Sequence, residues 1–289
     1  MNYFANQYIK LFLKILFTIG MLTIVFKSVP LNQVISTILE SHLSWLALGT
    51  LFFILSKYFS SVRLNLLFKN GNSEINSIYN QKLYLLGMFY NFFLPTGVGG
   101  DAYKVIKIHN DYLYSLKRVT SIVLLDRISG LVALINLVVL FSLYFINLTH
   151  GITLCLVILL GNVLYPLIVR KFISNHLISF KTEFLSWLVQ MSQCICAYCI
   201  LKAIDISNNE LLYIIVFLIS SIASLFPLSI GGLGAREYTF MVAATYFHLD
   251  IEKAIAIGFL FYIISLFVSL WGSYFVFKHI TPEKTHANL

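Results

Sequence analysis

The residues with the most chemical capacity in this chain fall in two stretches of matching design. The first reads Pro95, Thr96, Gly97, Val98, Gly99, Gly100, Asp101, with Lys104 three residues on. The second reads Pro227, Leu228, Ser229, Ile230, Gly231, Gly232, Leu233, Gly234, Ala235, Arg236, Glu237. In both, a proline precedes a Gly-Gly pair by four and five residues, an apolar arm leads in and charge follows. Glycine lets a partner approach the backbone closely, and a helix that starts after such a turn offers free N–H groups and a positive dipole end. The ligand that suits both is an anion. Arg236 adds a cation to the second copy, with Glu237 as its partner or as a proton site. Asp101 in the first copy reads either as an N-cap or as a site group.

A third constellation is Asp126-Arg127, with Gly130 four residues after Asp126 and on its helix face. It suits a salt link to another helix or a headgroup contact. Lys57 and Arg63 close a long apolar run, where snorkelling to the interface accounts for them. The seven histidines are scattered and the four cysteines (Cys155, Cys194, Cys196, Cys199) lie within apolar runs, so no metal site or cofactor is expected.

The surroundings of these residues are apolar. Of 289 residues, 59% are hydrophobic and 11% charged, and the mean hydropathy is +0.85. Soluble domains carry about 25% charged residues. The chain therefore reads as an all-α polytopic membrane protein. Runs near the length of about 20 residues needed to span a bilayer occur at Leu11–Val29, His42–Ser61, Val119–Phe145, Ile152–Val169, Phe184–Ala203 and Ala254–Phe277. That gives about six transmembrane helices. The arms of the two glycine segments are shorter, so both are expected to be re-entrant broken helices; irregular backbone at membrane depth is tolerated only when protein or a water-filled cavity surrounds it.

Charge orients the chain. With the N-terminus in the cytoplasm, only Lys27, Lys202, Arg236 and Lys253 of the 20 Lys and Arg residues fall outside or on the second broken segment. That asymmetry is the positive-inside pattern of an inner-membrane protein with both termini cytoplasmic. The net charge of +8 lies in short loops, which suits anionic headgroups and excludes nucleic acid as a partner. Residues 1–149 and 150–289 each read span, span, broken segment, span within one flippase-like domain. An odd number of crossings makes them inverted repeats with the glycine tips near the midplane, the arrangement that marks transporter binding sites. The arm after Gly100 is charged and the arm after Glu237 is apolar, so the first is expected nearer the interface.

With Leu94-Pro95 to Gly99-Gly100-Asp101, Asp126-Arg127 with Gly130 and Leu131, and Pro227 to Gly231-Gly232-Leu233-Gly234 with Arg236-Glu237, the chain resembles the transmembrane domain of lysylphosphatidylglycerol synthase/flippase proteins. The resemblance covers nearly the whole chain and implies a lipid translocase. It looks like a stand-alone form, because the soluble synthase domain of the family's bifunctional members has no counterpart before Leu289. The expectation is translocation of an anionic lipid or lipid-linked sugar between leaflets, an activity that is not enzymatic. The binding residues expected are Pro95, Gly97, Gly99, Gly100, Asp101, Lys104, Asp126, Arg127, Pro227, Gly231, Gly232, Gly234, Arg236 and Glu237. The alternative is a membrane-embedded transferase or accessory subunit in envelope biosynthesis, acting with aminoacyl-phospholipid, isoprenoid-linked glycan or hopanoid pathways. Expected partners are membrane lipids, with an envelope-biosynthesis enzyme or a second copy of the chain as further ones.

Overall fold

The computed structural model of the protein describes residues 15–16, 19–20, 22–25, 27, 31–93, 99–172, 178–225, 232–278 and 280–281. Helices take up almost all of them: α1 (Leu31–Leu39), α2 (Leu43–Asn70), α3 (Ser77–Phe93), α4 (Gly99–Tyr112), α5 (Leu116–Ser142), α6 (Leu148–Phe172), α7 (Phe180–Ala203), α8 (Glu210–Leu225), α9 (Ala235–Phe247), α10 (Ile251–Leu270) and α11 (Tyr274–Phe277). Short 3-10 turns follow α5 (Leu143–Phe145) and α10 (Trp271–Ser273). No strand occurs among the described residues, so the all-α class holds.

Among the described residues, five helical stretches are long and apolar enough to cross a membrane: Leu43–Asn70, Leu116–Phe145, Leu148–Lys171, Phe180–Ala203 and Ile251–Phe277. Each contains or overlaps one of the expected spans. The remaining expected span, 11–29, falls mostly outside the described residues. The largest boundary difference is at α2, which continues past Ser61 to Asn70. Charge at Lys57 and Arg63 suggested an interface, but a charge paired by another helix need not leave the bundle.

Helices α2 and α7 make the most extensive helix–helix contact among the described residues. A Cβ added to Gly49 would lie 3.2 Å from Cys199 Cβ and 3.7 Å from Cys196 Sγ, so small residues set the approach, as is usual between membrane helices. Cys194, Cys196 and Cys199 are accordingly buried and free, packing as small hydrophobes. Around this pair the contacts come in matching sets. Helix α3 packs on α4, α2 and α10, while α8 packs on α9, α7 and α5. Likewise α4 packs on α5, and α9 on α10.

Helix α6 stands apart, with 6% of its most apolar window buried against 56% for α7. It is joined to α5 by a reciprocal amide pair, Asn136 Nδ2 to Asn162 Oδ1 at 2.9 Å and Asn162 Nδ2 to Asn136 Oδ1 at 3.1 Å.

Candidate functional site

The described parts of the two glycine segments, from Gly99 and from Gly232, each sit where two helices meet. In the first, Pro95 and Gly97 lie outside the described residues, and α4 begins at Gly99. Gly100 fixes the approach of α4 to α3, since a Cβ there would lie 1.8 Å from Gly87 O. Its N–H donates to Asn91 Oδ1 at 2.9 Å. Asp101 does not cap α4. Its Oδ1 accepts from Lys104 Nζ at 3.0 Å and its Oδ2 from Arg127 Nε, which ties α4 to α5. Lys104 is 5% exposed and also lies 3.9 Å above the Tyr84 ring.

Asp126 and Arg127 are neighbours about 100° apart on α5 and so serve different helices. While Arg127 meets Asp101, Asp126 Oδ1 accepts from Arg63 Nε of α2 at 2.8 Å. Arg63 Nη1 also donates to Ser186 Oγ of α7 at 3.0 Å. Gly130 gives the guanidinium room: a Cβ there would lie 3.3 Å from Nη1. Arg63 is 4% exposed and bonded within the bundle, which corrects its reading as an interfacial residue.

The second segment is held differently. Pro227 and Gly231 lie outside the described residues; Gly232 and Gly234 both have φ +86°, a conformation that side chains rarely adopt. Glu237 turns back to the start of α9, where its Oε2 accepts from Gly234 N–H at 2.6 Å. It makes no ion-pair contact with Arg236 beside it. The Arg236 guanidinium is held by three hydroxyls of α8: Nη1 donates to Ser220 Oγ and Ser221 Oγ, both at 3.1 Å, and Nη2 to Ser224 Oγ at 3.2 Å. It also lies over the Phe261 and Phe217 rings at 4.6 and 5.2 Å. Arg236 is 8% exposed, and no carboxylate among the described residues is within ion-pair distance of it.

Arg236 opens onto a cavity of about 310 Å³ lined by α2, α3, α5, α7, α8, α9 and α10. Of the expected residues, Gly232, Arg236 and Glu237 line it. Asp101, Lys104, Asp126 and Arg127 do not; they form the ion-paired cluster between α2, α4 and α5. Lys57 of α2 lines it too, with Nζ 4.5 Å from the Phe53 ring centroid. Amides of Asn91, Gln190 and Gln193 complete much of its polar wall. Sequence reasoning missed Lys57, these amides and the serines. The available signal was three serines within five residues of an otherwise apolar helix, Ser220, Ser221 and Ser224. No group of three or more His, Cys, Asp or Glu able to hold a metal ion occurs among the described residues.

Fold and site define a multi-pass helical membrane protein whose charged groups are gathered inside the bundle. The family model described as Lysylphosphatidylglycerol synthase TM region matches residues 11–183 and 172–272, and the chain belongs to that family. Membership ties it to a lipid-related function. A comparison with curated proteins finds no match.

Proposed function

We propose that the protein moves an anionic lipid, or a lipid-linked sugar, from one membrane leaflet to the other, with the headgroup phosphate bound in the central cavity. The observation that carries this reading is Arg236: a buried guanidinium at a cavity wall, solvated by hydroxyls and in ion-pair contact with no carboxylate among the described residues. Burying an unpaired ion costs several kcal/mol, and such a residue inside a membrane is a functional candidate by default. A phosphate between Arg236 and Lys57 would supply the missing charge. The cavity, about 310 Å³, has the scale of a headgroup and leaves the tails to the lipid.

The matching contact sets support inverted repeats over 1–149 and 150–289, with α3/α4 and α8/α9 as the re-entrant pairs. Rocking of the halves would present the cavity to each leaflet in turn. The charge asymmetry supports an inner-membrane location with cytoplasmic termini.

Labelled-lipid translocation in proteoliposomes tests the reading. Wild type should move a phosphodiester lipid between leaflets and Arg236→Ala, folded to the same unfolding temperature within a few degrees, should move less than about a tenth as much. Equal rates for the two proteins would refute it.

A further inference from the structure

Three of the helices that line the central cavity also form a second recess on the outer surface of the bundle, where Ile195 and Tyr198 are exposed. It is a groove of about 290 Å³ bounded by α5, α7 and α8. On each of these helices one face carries both a cavity residue and a groove residue. On α5 they are Leu134 and Phe141, and on α8 Ser221 and Ile214, seven residues apart in each case. On α7, Gln190, Cys194 and Tyr198 follow one another at intervals of four, the first in the cavity and the other two in the groove. Spacings of four and seven keep side chains on one helix face, so cavity and groove are two stations of a single seam, about 10 Å apart along it. Between them, on those same faces of α5 and α8, stand Leu137 and Leu218, both buried in one apolar cluster.

The far end of the groove has the composition of a membrane surface. Glu210 lines it and is ion-paired with Lys202, whose Nζ also lies 5.2 Å from the Tyr198 ring centroid. Tyrosines and long charged side chains gather at the headgroup zone, where the ring body stays in hydrocarbon and the polar tips reach water. The remaining walls, Phe141, Ile195, Leu211 and Ile214, are apolar. Charge at the surface with hydrocarbon beneath it is the polarity of a lipid within one leaflet. We infer that this groove docks the acyl chain of a membrane lipid whose headgroup lies level with Lys202 and Glu210, and that the seam of α5, α7 and α8 is the lateral gate through which the lipid loads the cavity. Leu137 and Leu218 are its closed leaves. Loading by this route presupposes that the central cavity is the headgroup site. The seam is also where relative movement acts: α5 belongs to residues 1–149 and α7 and α8 to 150–289, so rocking of the halves widens it. A larger apolar recess of about 490 Å³, between the end of α5 and α6, has no such continuation, since α6 contributes no residue to the cavity.

The test compares movement of a fluorescent-chain phosphatidylglycerol in proteoliposomes by wild type, by Ile195→Trp, which fills the groove from α7, and by Leu156→Trp, which adds similar bulk to the α6 recess. Ile195→Trp should slow movement at least about fivefold and Leu156→Trp should stay within about twofold of wild type. The second readout is calorimetric affinity for a short-chain phosphatidylglycerol in detergent. An equilibrium constant does not depend on the route of entry, so Ile195→Trp should bind this probe within about twofold of wild type. Should Ile195→Trp fail to fold, Leu211→Trp blocks the same groove from α8. No slowing, equal slowing by the α7 and α6 variants, or a loss of affinity that matches the loss of rate would each overturn the gate and leave the cavity reading in place. If wild type moves no lipid, or if Arg236→Ala moves it as wild type does, the cavity reading itself falls and the gate with it.

Discussion

The two glycine segments share a sequence plan, but the charges around them are treated in opposite ways. At the first, every charge meets its opposite: Asp101 holds Lys104 and Arg127, and Asp126 holds Arg63. At the second, Arg236 meets only hydroxyls and rings, and Glu237 bonds the backbone of its own helix start. A buried ion pair is hard to break from one side, because the remaining partner is left charged without water. The first cluster therefore acts as a lock between α2, α4, α5 and α7. The second has charge to spare and faces the cavity, as a binding site must.

Mutations should separate lock from site. The largest effect on folding is expected from Arg63→Met, which leaves Asp126 buried and unpaired and should cost about 3–5 kcal/mol in reversible unfolding. Adding Asp126→Leu should restore most of that loss; if the double variant is no better than the single, the pair is not the lock. Next come the glycines. Gly100→Ala must push α4 off the Gly87 carbonyl and should cost about 1–3 kcal/mol. Gly232→Ala meets Ser224 Cβ at 3.0 Å and, with φ +86°, its own backbone strain, for about 1–2 kcal/mol. Equal loss of lipid movement in both, at matched stability, would erase the contrast between the segments.

Arg236→Met should change stability by less than about 1 kcal/mol, because no ion pair is broken and a buried charge is removed together with its desolvation cost. The serines it leaves are already bonded: Ser220 and Ser221 donate to Phe217 O at 2.7 and 2.9 Å, and Ser224 to Ser221 O at 2.9 Å. Translocation should nonetheless be lost. A large drop in unfolding temperature would make Arg236 a second lock. The smallest effect is expected at the edge of the bundle: Asn162→Leu breaks the amide pair that joins α6 to α5 and should cost about 0.6 kcal/mol, read from the same unfolding curves.

Much of this arrangement is legible in the amino-acid sequence. Hydrocarbon demands long apolar helices, so the spans announce themselves, and Gly99-Gly100 and Gly231-Gly232 in matching surroundings point to breaks. Arg236 stood out because charge is rare in such company. Its partner did not. Glu237 is adjacent in sequence, yet on a helix a neighbour lies about 100° away, and the serines that hold Arg236 are 12–16 residues upstream. Arg63 and Lys57 were misread for a related reason. A single chain shows a charge at the end of an apolar run, while the counter-charge for Arg63 is 63 residues away and the cavity at Lys57 is built by seven helices. Pairing at long range leaves no local trace.

The serine cradle has an electrical consequence. An arginine bonded to a carboxylate is half of a dipole, and its potential dies away within a short distance of the pair. Three hydroxyls cancel no charge: they orient around the guanidinium as a first hydration shell would, and Arg236 remains a monopole whose pull decays only with the inverse of distance. The protein has in effect carried a few fixed water substitutes to the buried site, so that a charge can be kept there without being spent.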